Sequence, residues 1–580
     1  MSLAPVTVRT APASSNRPVA SHIAEAFQRH GVSVVFGQSI PTAFHLAAPD
    51  YAIKQAVYRA ENAGGIMADG YARVSNKVAV VTAQNGPAAT LLIPPLAEAL
   101  KASTPVVALV QEVPAEHAGK NAFQEFDHFR LFDSVAKWIG RIDRPERVND
   151  YVDMAFTIAA SGRPGPVVLL APADVLSLPA GAAPSRGATL GAFPLDRSVA
   201  DPERIASAAK LLASAKSPLV VAGGGVHLSN ASAALASLQE VCSLPVATTV
   251  MGKGAVDETH PLSLGVIGYF MAPGSRTHAL RPLVDNADVI LFIGARTNQN
   301  GTDSWGLFPS GARYIHLDID SAEVGRNYEA LRLVGDARLT IEALTASMKD
   351  AGLAHRSASR AAVTEAIAKG VADWRKTIQR IATDNRKPIR PERLMAEIDK
   401  VLTPETIAVA DASYSSIWIA NYLTSRAAGQ RFITPRGLAG LGWGLPLAIG
   451  AQFAEPSRQV ICVSGDGGFA HCWAELETVV RHKLPIVSIV LNNQILGYQK
   501  HGETVSFGAY TDAVDFAPVD HAAIARACGC EAARIEDPAE FGPRLAEALK
   551  ARKPLLLDVV IDADAHPPIT MFGDRFGSPF

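Results

Sequence analysis

The chain reads as an α/β protein made of three doubly wound parallel-sheet domains. Short β-branched runs alternate with amphipathic stretches along its whole length, the pattern of strand–helix–strand crossovers. These runs fall into three similar sets. At 580 residues the chain also exceeds what one core fills, and a prior of about 150 residues per domain suggests three.

The first set is VSVVFG, KVAVVTA, TPVVALV and GPVVLLA. The second is SPLVVAG, LPVATTV, ADVILFIG and RYIHLDI, and the third TIAVAD, RQVICVS, LPIVSIVL and PLLLDVVI. One linker runs from Pro179 to Glu203, rich in Gly, Pro and Ala. A polar, basic helical stretch ending at Asp384–Glu392 forms the other. Domains are therefore expected over residues 19–180, 200–345 and 390–565, followed by a tail at 566–580. The opening MSLAPVTVRTAPASSNRPVA has two arginines, no acid and no signal-peptide core, and reads as a mobile tail.

Apolar residues make up 48% and charged residues 19% of the chain, so burial is ample and disorder is not the default. The net charge of −2, with no long basic run, lacks the footprint of a nucleic-acid binder. No charge-free apolar run reaches the roughly 18–20 residues that span a bilayer. The five cysteines (Cys242, Cys462, Cys472, Cys528 and Cys530) are too scattered for a disulfide framework. They are expected as buried thiols in a reducing cytoplasm. Cys528-Gly-Cys530 lacks the second pair or His cluster that would make it a metal site.

The chemistry concentrates in SGDGGFAHCWAELETVVRHKLPIVSIVLNNQILGYQK, Ser464 to Lys500. Asp466 follows one strand and opens the helix GFAHCWAELETVVRHK, while Asn492 and Asn493 end the next strand. Ligands of doubly wound sheets sit at the carboxyl ends of strands, so neighbouring strands would bring Asp466 and Asn493 to one crevice. A carboxylate, an amide oxygen and a nearby backbone carbonyl suit Mg²⁺ or Ca²⁺, with phosphate oxygens and water completing the shell. Gly467 and Gly468 offer N–H groups at a helix N-terminus, which favours a diphosphate. A GDG by itself is most often a capped turn; the asparagine pair one helix and one strand later argues for a site.

This pairing resembles the signature of thiamine-diphosphate-dependent enzymes, and the chain is most similar to acetolactate synthase large subunits and their relatives. The resemblance runs from about residue 20 to 565. It implies a pyrimidine-binding domain, a middle nucleotide-binding-like domain and a diphosphate- and Mg²⁺-binding domain, in that order. It implies that Asp466, Asn493 and the backbone of Ile495 hold Mg²⁺, beside Gly465, Gly467 and Gly468. It further implies that Glu61, in YRAENAGG, is the acid at ring nitrogen N1′ of the cofactor; Ala60 stands where the family usually has His. In RGLAGLGWGLPLAIGA, Leu441 matches the wedge under the cofactor, and Ala439 and Leu441 offer backbone bonds to the pyrimidine. In DASYSSIW, Tyr414 and Ser415 match residues that touch the diphosphate. FGQSIP, QNGP and NAFQEFD match active-site loops, whose Gln38, Gln84 and Gln124 are placed to hydrogen-bond substrate; each alone would more often be an ordinary loop residue.

In the middle domain Gly223, Gly224, Gly225, Arg296, Asp318 and Asp320 match part of the FAD site of the acetolactate branch, where the flavin has no redox role in the ligation. They equally suit the adenine nucleotide of other branches. The chain departs from that branch at Thr297-Asn298-Gln299-Asn300, where an acidic pair is usual, and at Ala173, where a lysine is usual. QKHGETVSFG, after NNQILGY, lacks the tryptophan that selects 2-ketobutyrate.

The expected activity is thiamine-diphosphate- and Mg²⁺-dependent cleavage or ligation of a 2-keto acid such as pyruvate, with FAD as a further candidate cofactor. The family assembles its site across subunits, which implies a homodimer or homotetramer. Alternatives are a relative with another acceptor (sulfoacetaldehyde acetyltransferase, dione hydrolase or acyl-CoA decarboxylase) or a catalytically silent nucleotide-binding subunit. An NAD dehydrogenase is weaker, because no clean GxGxxG opens a helix after the first strand. HPPITMFGDRFGSPF at the C-terminus reads as a lid or a surface tail.

Overall fold

The computed structural model describes residues 17–181 and 186–572. Most of the N-terminal tail, part of the first linker and the last eight residues lie outside the described residues.

Three six-stranded sheets, parallel throughout, carry the fold. The first contains β1 (Val34–Phe36), β2 (Lys54–Ala56), β3 (Ala79–Ala83), β4 (Val106–Glu112), β5 (Ile139–Arg141) and β6 (Val167–Pro172), in the order β2-β1-β3-β4-β6-β5. The second contains β7 (Pro218–Ala222), β8 (Val246–Thr248), β9 (Ser263–Val266), β10 (Val289–Ile293), β11 (Arg313–Asp318) and β12 (Ala330–Val334), in the order β12-β11-β10-β7-β8-β9. The third contains β13 (Ile407–Ala410), β14 (Phe432–Ile433), β15 (Val460–Gly465), β16 (Ile486–Asn492), β17 (Glu531–Ile535) and β18 (Leu555–Val560), in the order β14-β13-β15-β16-β18-β17. Every run expected as a strand is one. The six strands not expected are the two edges of each sheet.

In each sheet the chain winds outward from one central strand and then returns to its other side. The order therefore reverses between β1 and β3, between β7 and β10, and between β13 and β15. Loops leaving the carboxyl ends of such a pair part and leave a crevice where ligands bind. Gln38 and Gln84 lie on the loops after β1 and β3. Gly224 and Arg296 follow β7 and β10, and Tyr414 and Asp466 follow β13 and β15.

The chain forms two compact units. One comprises the residues up to Asp196 with Pro435–Pro456 and Ala474–Leu484; the other comprises Arg197–Thr434, Ser457–Trp473 and the chain from Pro485 onward. In the first unit the helix Glu61–Ser75 lies against the helix Gly444–Ala454, backbone on backbone. A Cβ on Gly450 would fall 1.9 Å from the Met67 carbonyl oxygen, and one on Gly70 2.4 Å from that of Leu447. Only glycine permits so close an approach. In the second unit Trp418, Ile417, Ile461, Val487 and Phe541 join one buried core around the third sheet.

The stretch expected as one helix after Asp466 is broken. A short helix, Asp466–Phe469, passes through a 3₁₀ turn, Ala470–Cys472, and a separate helix follows over Glu475–Arg481. Gly467 and Gly468 weaken helix propagation, and Trp473 is pinned through its indole N–H to His521 Nδ1 at 3.1 Å. The described part of the C-terminal tail packs into the second unit: Ile569 and Phe572 are buried, and Thr570 donates its N–H to the Tyr269 carbonyl at 2.8 Å. All five cysteines are unpaired, and four of them are buried. Among the described residues no helix is long and apolar enough to cross a membrane.

Candidate active site

β15 and β16 are parallel neighbours with Gly465 opposite Leu491, so the residues just beyond each strand emerge together. Asp466 is 6% exposed. Its Oδ1 accepts the Gly467 N–H at 2.9 Å and its Oδ2 the Gln494 N–H at 2.6 Å. One terminal atom of the Asn493 amide lies 3.3 Å from Asp466 Oδ1 and 3.1 Å from the Ile495 carbonyl oxygen. Read as the amide oxygen, it completes three acceptors facing one another with no proton between them; read as the nitrogen, it donates to both. Carboxylate, amide and carbonyl converge in either orientation, and with the amide oxygen turned inward they fit the hard-oxygen donor set of a small divalent cation. Burial outweighs the two N–H bonds and lifts the Asp466 carboxyl to about 6, so a cation would supply the charge stabilisation that burial removes.

The glycines divide in role. The Gly467 N–H, expected to face a diphosphate, is taken by the Asp466 side chain, and Gly467 lets the Phe516 ring approach: a Cβ there would lie 2.7 Å from it. Gly468 is buried. Gly465 is open, since a Cβ there would meet only Ser415 Oγ, at 3.9 Å. Ser415 thus faces the tip of β15. The Tyr414 hydroxyl bonds to His501 Nδ1 at 2.5 Å. Gly497 makes room for the Tyr414 ring, 2.9 Å from where a Cβ would stand. Burial drives His501 down to about 4 and Tyr414 well above the ordinary phenol value.

In the first unit Glu61 is the first residue of its helix, half-buried, behind an Ala60 that has no capping side chain. The missing cap comes from far along the chain. Glu475 Oε1 accepts the N–H groups of Arg59 and Ala60, both at 3.0 Å, and Oε2 accepts the Thr478 hydroxyl at 2.7 Å. Burial raises the Glu475 carboxyl above its ordinary range. The sequence reading missed Glu475. Its only signal was an acid on the apolar face of AELETVV, at the spacing shared with buried Thr478 and Val479.

The loop after β1 is tied to the one after β2, and the loop after β3 to the one after β4. Gln38 donates to the Arg59 carbonyl at 3.2 Å, two residues before Glu61. Gln84 donates to Gln124 Oε1 at 2.8 Å, and Asn85 to the Gln124 carbonyl at 2.9 Å. The loop carrying Ala439 and Leu441 is anchored by Glu98, which accepts the N–H groups of Gly437 and Leu438 at 2.8 and 2.5 Å. Glu98 in turn pairs with Arg73 at 3.0 Å, and Arg73 with Asp69. Asp69 and Arg73 belong to the helix that Glu61 opens, so one network ties this loop to that helix. Ala439 sits at φ +64°, a strained left-handed position for a residue with a Cβ.

In the middle sheet Gly223 and Gly225 serve packing. Cβ atoms there would fall 2.2 Å from the Gly294 carbonyl oxygen and 2.7 Å from its Cα. Gly224 meets only Met251, at 3.3 Å. Arg296 follows β10, and Asp318 ends β11 with Oδ1 accepting the Asp320 N–H at 2.9 Å. Thr297–Asn300 fold into a turn in which Asn298 Oδ1 accepts the Gly301 N–H at 2.9 Å.

Family models match in the same order. The N-terminal binding domain of thiamine pyrophosphate enzymes matches residues 17–131, their central domain 205–344 and their C-terminal binding domain 411–559. The chain is 35% identical to a probable acetolactate synthase large subunit of Methanococcus aeolicus, over 87% of this chain and 85% of that one. The chain belongs to the thiamine pyrophosphate enzyme family. It is also 33% identical to the probable acetolactate synthase large subunit of Methanocaldococcus jannaschii, over 96% of this chain and 94% of that one. To the acetolactate synthase isozyme 2 large subunit of Escherichia coli it is 30% identical, over 94% and 95%. In this thiamine pyrophosphate enzyme the residues matched to cofactor and substrate form two sets. Glu61, Gln38, Gln84, Gln124, Ala439 and Leu441 belong to one compact unit; Asp466, Asn493, Ile495, Tyr414, Ser415 and the matched glycines belong to the other.

Proposed function

We propose that this thiamine pyrophosphate enzyme decarboxylates a 2-keto acid such as pyruvate and joins the remaining two-carbon unit to a second carbonyl compound, as an acetolactate synthase does. The observation that carries the reading is the convergence of the Asp466 carboxylate, the Asn493 amide and the Ile495 carbonyl at the carboxyl end of β15 and β16. Mg²⁺ is the cation this set suits when a diphosphate supplies further oxygens. Bound thiamine diphosphate supplies the nucleophilic carbon and the electron sink for loss of CO₂.

The chain's own residues bind, orient and hold protons around that chemistry. Asp466, Asn493 and the Ile495 carbonyl hold the metal. Ser415 and the open Gly465 admit the diphosphate, Glu61 holds a proton at N1′ of the pyrimidine, and Leu441 packs under the cofactor. Gln38, Gln84 and Gln124 orient the keto acid. The middle sheet, with Gly224, Arg296 and Asp318 at its carboxyl edge, takes an adenine-containing cofactor such as FAD. Assembly as a homodimer or homotetramer lets Glu61 of one chain serve the metal set of another, and the unpaired thiols support a reducing cytoplasm.

Thiamine diphosphate- and Mg²⁺-dependent CO₂ release from pyruvate, lost in both Glu61→Ala and Asp466→Ala, is the expected result. Turnover that ignores the cofactor, or survives Glu61→Ala unchanged, would overturn the reading. Bound flavin shows in the absorbance of the purified protein, and sedimentation reports the assembly. Ala173 and the missing tryptophan favour a second reading, in which the acceptor is not a keto acid. A panel containing sulfoacetaldehyde, a cyclic dione and an acyl-CoA separates the two.

A further inference from the structure

We infer that His128 is a positioning residue for the substrate loop: it holds the Gly86 N–H and, through that peptide, the Gln84–Gln124 pair. The inference rests on the reading above only in taking those two glutamines as substrate-facing.

The arrangement is a chain of hydrogen bonds at the carboxyl ends of β3, β4 and β5. Arg141 closes β5 and donates twice to Glu112, the last residue of β4, at 2.6 and 2.9 Å. His128 opens the helix His128–Phe132, and its Nδ1 lies 3.2 Å from Glu112 Oε1. Its Nε2 accepts the N–H of Gly86 at 3.4 Å. A backbone N–H can only donate, so Nε2 carries no proton and the ring proton sits on Nδ1, directed at the Glu112 carboxylate. Burial opposes ionisation of Glu112, but the bonds from His128 and Arg141 outweigh it and hold the carboxyl below the ordinary range. Guanidinium, carboxylate and neutral imidazole thus fix one tautomer and aim one lone pair.

The peptide it aims at has little freedom to compensate. Gly86 is at φ +63°, and a Cβ there would fall 2.7 Å from the Gln124 carbonyl oxygen. The same short loop carries Gln84 and Asn85, both bonded to Gln124. A small rotation of the Gly86 peptide therefore displaces both glutamine amides, and misplacement of substrate-positioning groups by about 1 Å costs up to about a hundredfold in rate.

A cavity of about 290 Å³ adjoins the imidazole, lined by Glu112, Phe126, His128, Arg141, Pro172 and Val175 among others, and by neither Gln84 nor Gln124. A ring removed from position 128 is thus replaceable from solution without entering on the substrate side.

The test uses the full-length enzyme with thiamine diphosphate and Mg²⁺. His128→Gly is expected to lower kcat about tenfold or more while leaving cofactor affinity unchanged. Amide exchange should quicken about tenfold within residues 84–87, as expected for loss of one hydrogen bond. Free imidazole should reverse both effects. His128→Gln should stay close to the parent, because its amide oxygen accepts from Gly86 and its NH₂ donates to Glu112. If His128→Gly does not fold, the comparison of His128→Gln with His128→Leu decides. Unchanged exchange at 84–87, failure of imidazole to restore a folded His128→Gly, or a His128→Gln as impaired as the apolar variant each overturns the inference. If the parent enzyme turns over no keto acid, that failure belongs to the functional reading, and the exchange measurement still decides the role of His128.

Discussion

Glu475 accepts the backbone N–H of Ala60 at 3.0 Å, one residue ahead of Glu61 and 415 positions away in sequence. The carboxylate is 1% exposed and also holds the Arg59 N–H and the Thr478 hydroxyl. Glu475→Ala leaves these donors without their acceptor, at a cost of about 1–3 kcal/mol for each that stays buried. The expected outcome is a lower Tm together with a fall in kcat, because the entry of the Glu61 helix is no longer fixed. Glu475→Gln keeps one acceptor and should fall between. A Glu475→Ala protein that melts and turns over like the parent contradicts this assignment.

Asp466 makes the fold pH-sensitive in the absence of metal. Burial lifts its carboxyl from 3.8 to about 6, so the folded state holds the proton more tightly than the unfolded chain. The stability this group contributes is then fully present below its unfolded value, about 4, and is lost as pH rises through about 6. Cation and proton compete for the same carboxylate. The Tm gain on adding Mg²⁺ should therefore be large above about pH 7 and small near about pH 5, and Asp466→Asn should abolish the difference. Melting curves at the two pH values, with and without Mg²⁺, check this; a gain independent of pH would count against the metal site.

Two glycines should respond oppositely to alanine. Gly450→Ala drives a methyl into the Met67 carbonyl oxygen, 1.9 Å away, and should destabilise the protein by about 1–3 kcal/mol, as overpacking does. Gly465→Ala meets only Ser415 Oγ, at 3.9 Å, and its backbone at φ −75° suits alanine. It should fold normally and lose affinity for thiamine diphosphate. Thermal melts and cofactor titration distinguish the two.

Glu98→Ala removes the acceptor shared by Arg73, Gly437 and Leu438. Breaking a buried ion pair from one side costs about 3–5 kcal/mol. Besides a lower Tm, proteolysis should gain a cut near residues 437–441, since the carboxylate is what ties that loop down. An unchanged digestion pattern would show that other contacts hold it.

The four central strands of every sheet were legible, and both edges of every sheet were not. A strand buried on both faces is apolar over most of its length, so the runs VVALV in β4 and VICV in β15 announce themselves. An edge strand has no such demand. β2 reads KQA and β17 reads EAARI, each exposed at its first residue, while β14 is two residues long. Neither composition nor length sets them apart from a loop until the neighbouring strand is present.

The candidate site divides along the same line. Asp466 and Asn493 could be paired from sequence because one helical connection and one strand separate them and a parallel sheet leaves little choice of where the two tips emerge. The partner of the Tyr414 hydroxyl could not be read, since His501, which claims it, lies 87 residues away. Glu475, Glu98 and His128 each act on backbone N–H groups, and a backbone donor leaves no trace in a sequence.

By itself the sequence determined the doubly wound class, the number of sheets, their central strands and the meeting of Asp466 with Asn493 at the end of β15 and β16, all consequences of local periodicity and short spacing. Only the tertiary structure decided which glycines stand open and which admit another helix, which carboxylates cap the Glu61 helix and the 437–441 loop, and which way the Tyr414 hydroxyl turns. Those depend on groups brought together from hundreds of residues apart, where packing and unsatisfied N–H groups, not residue pattern, select the partner.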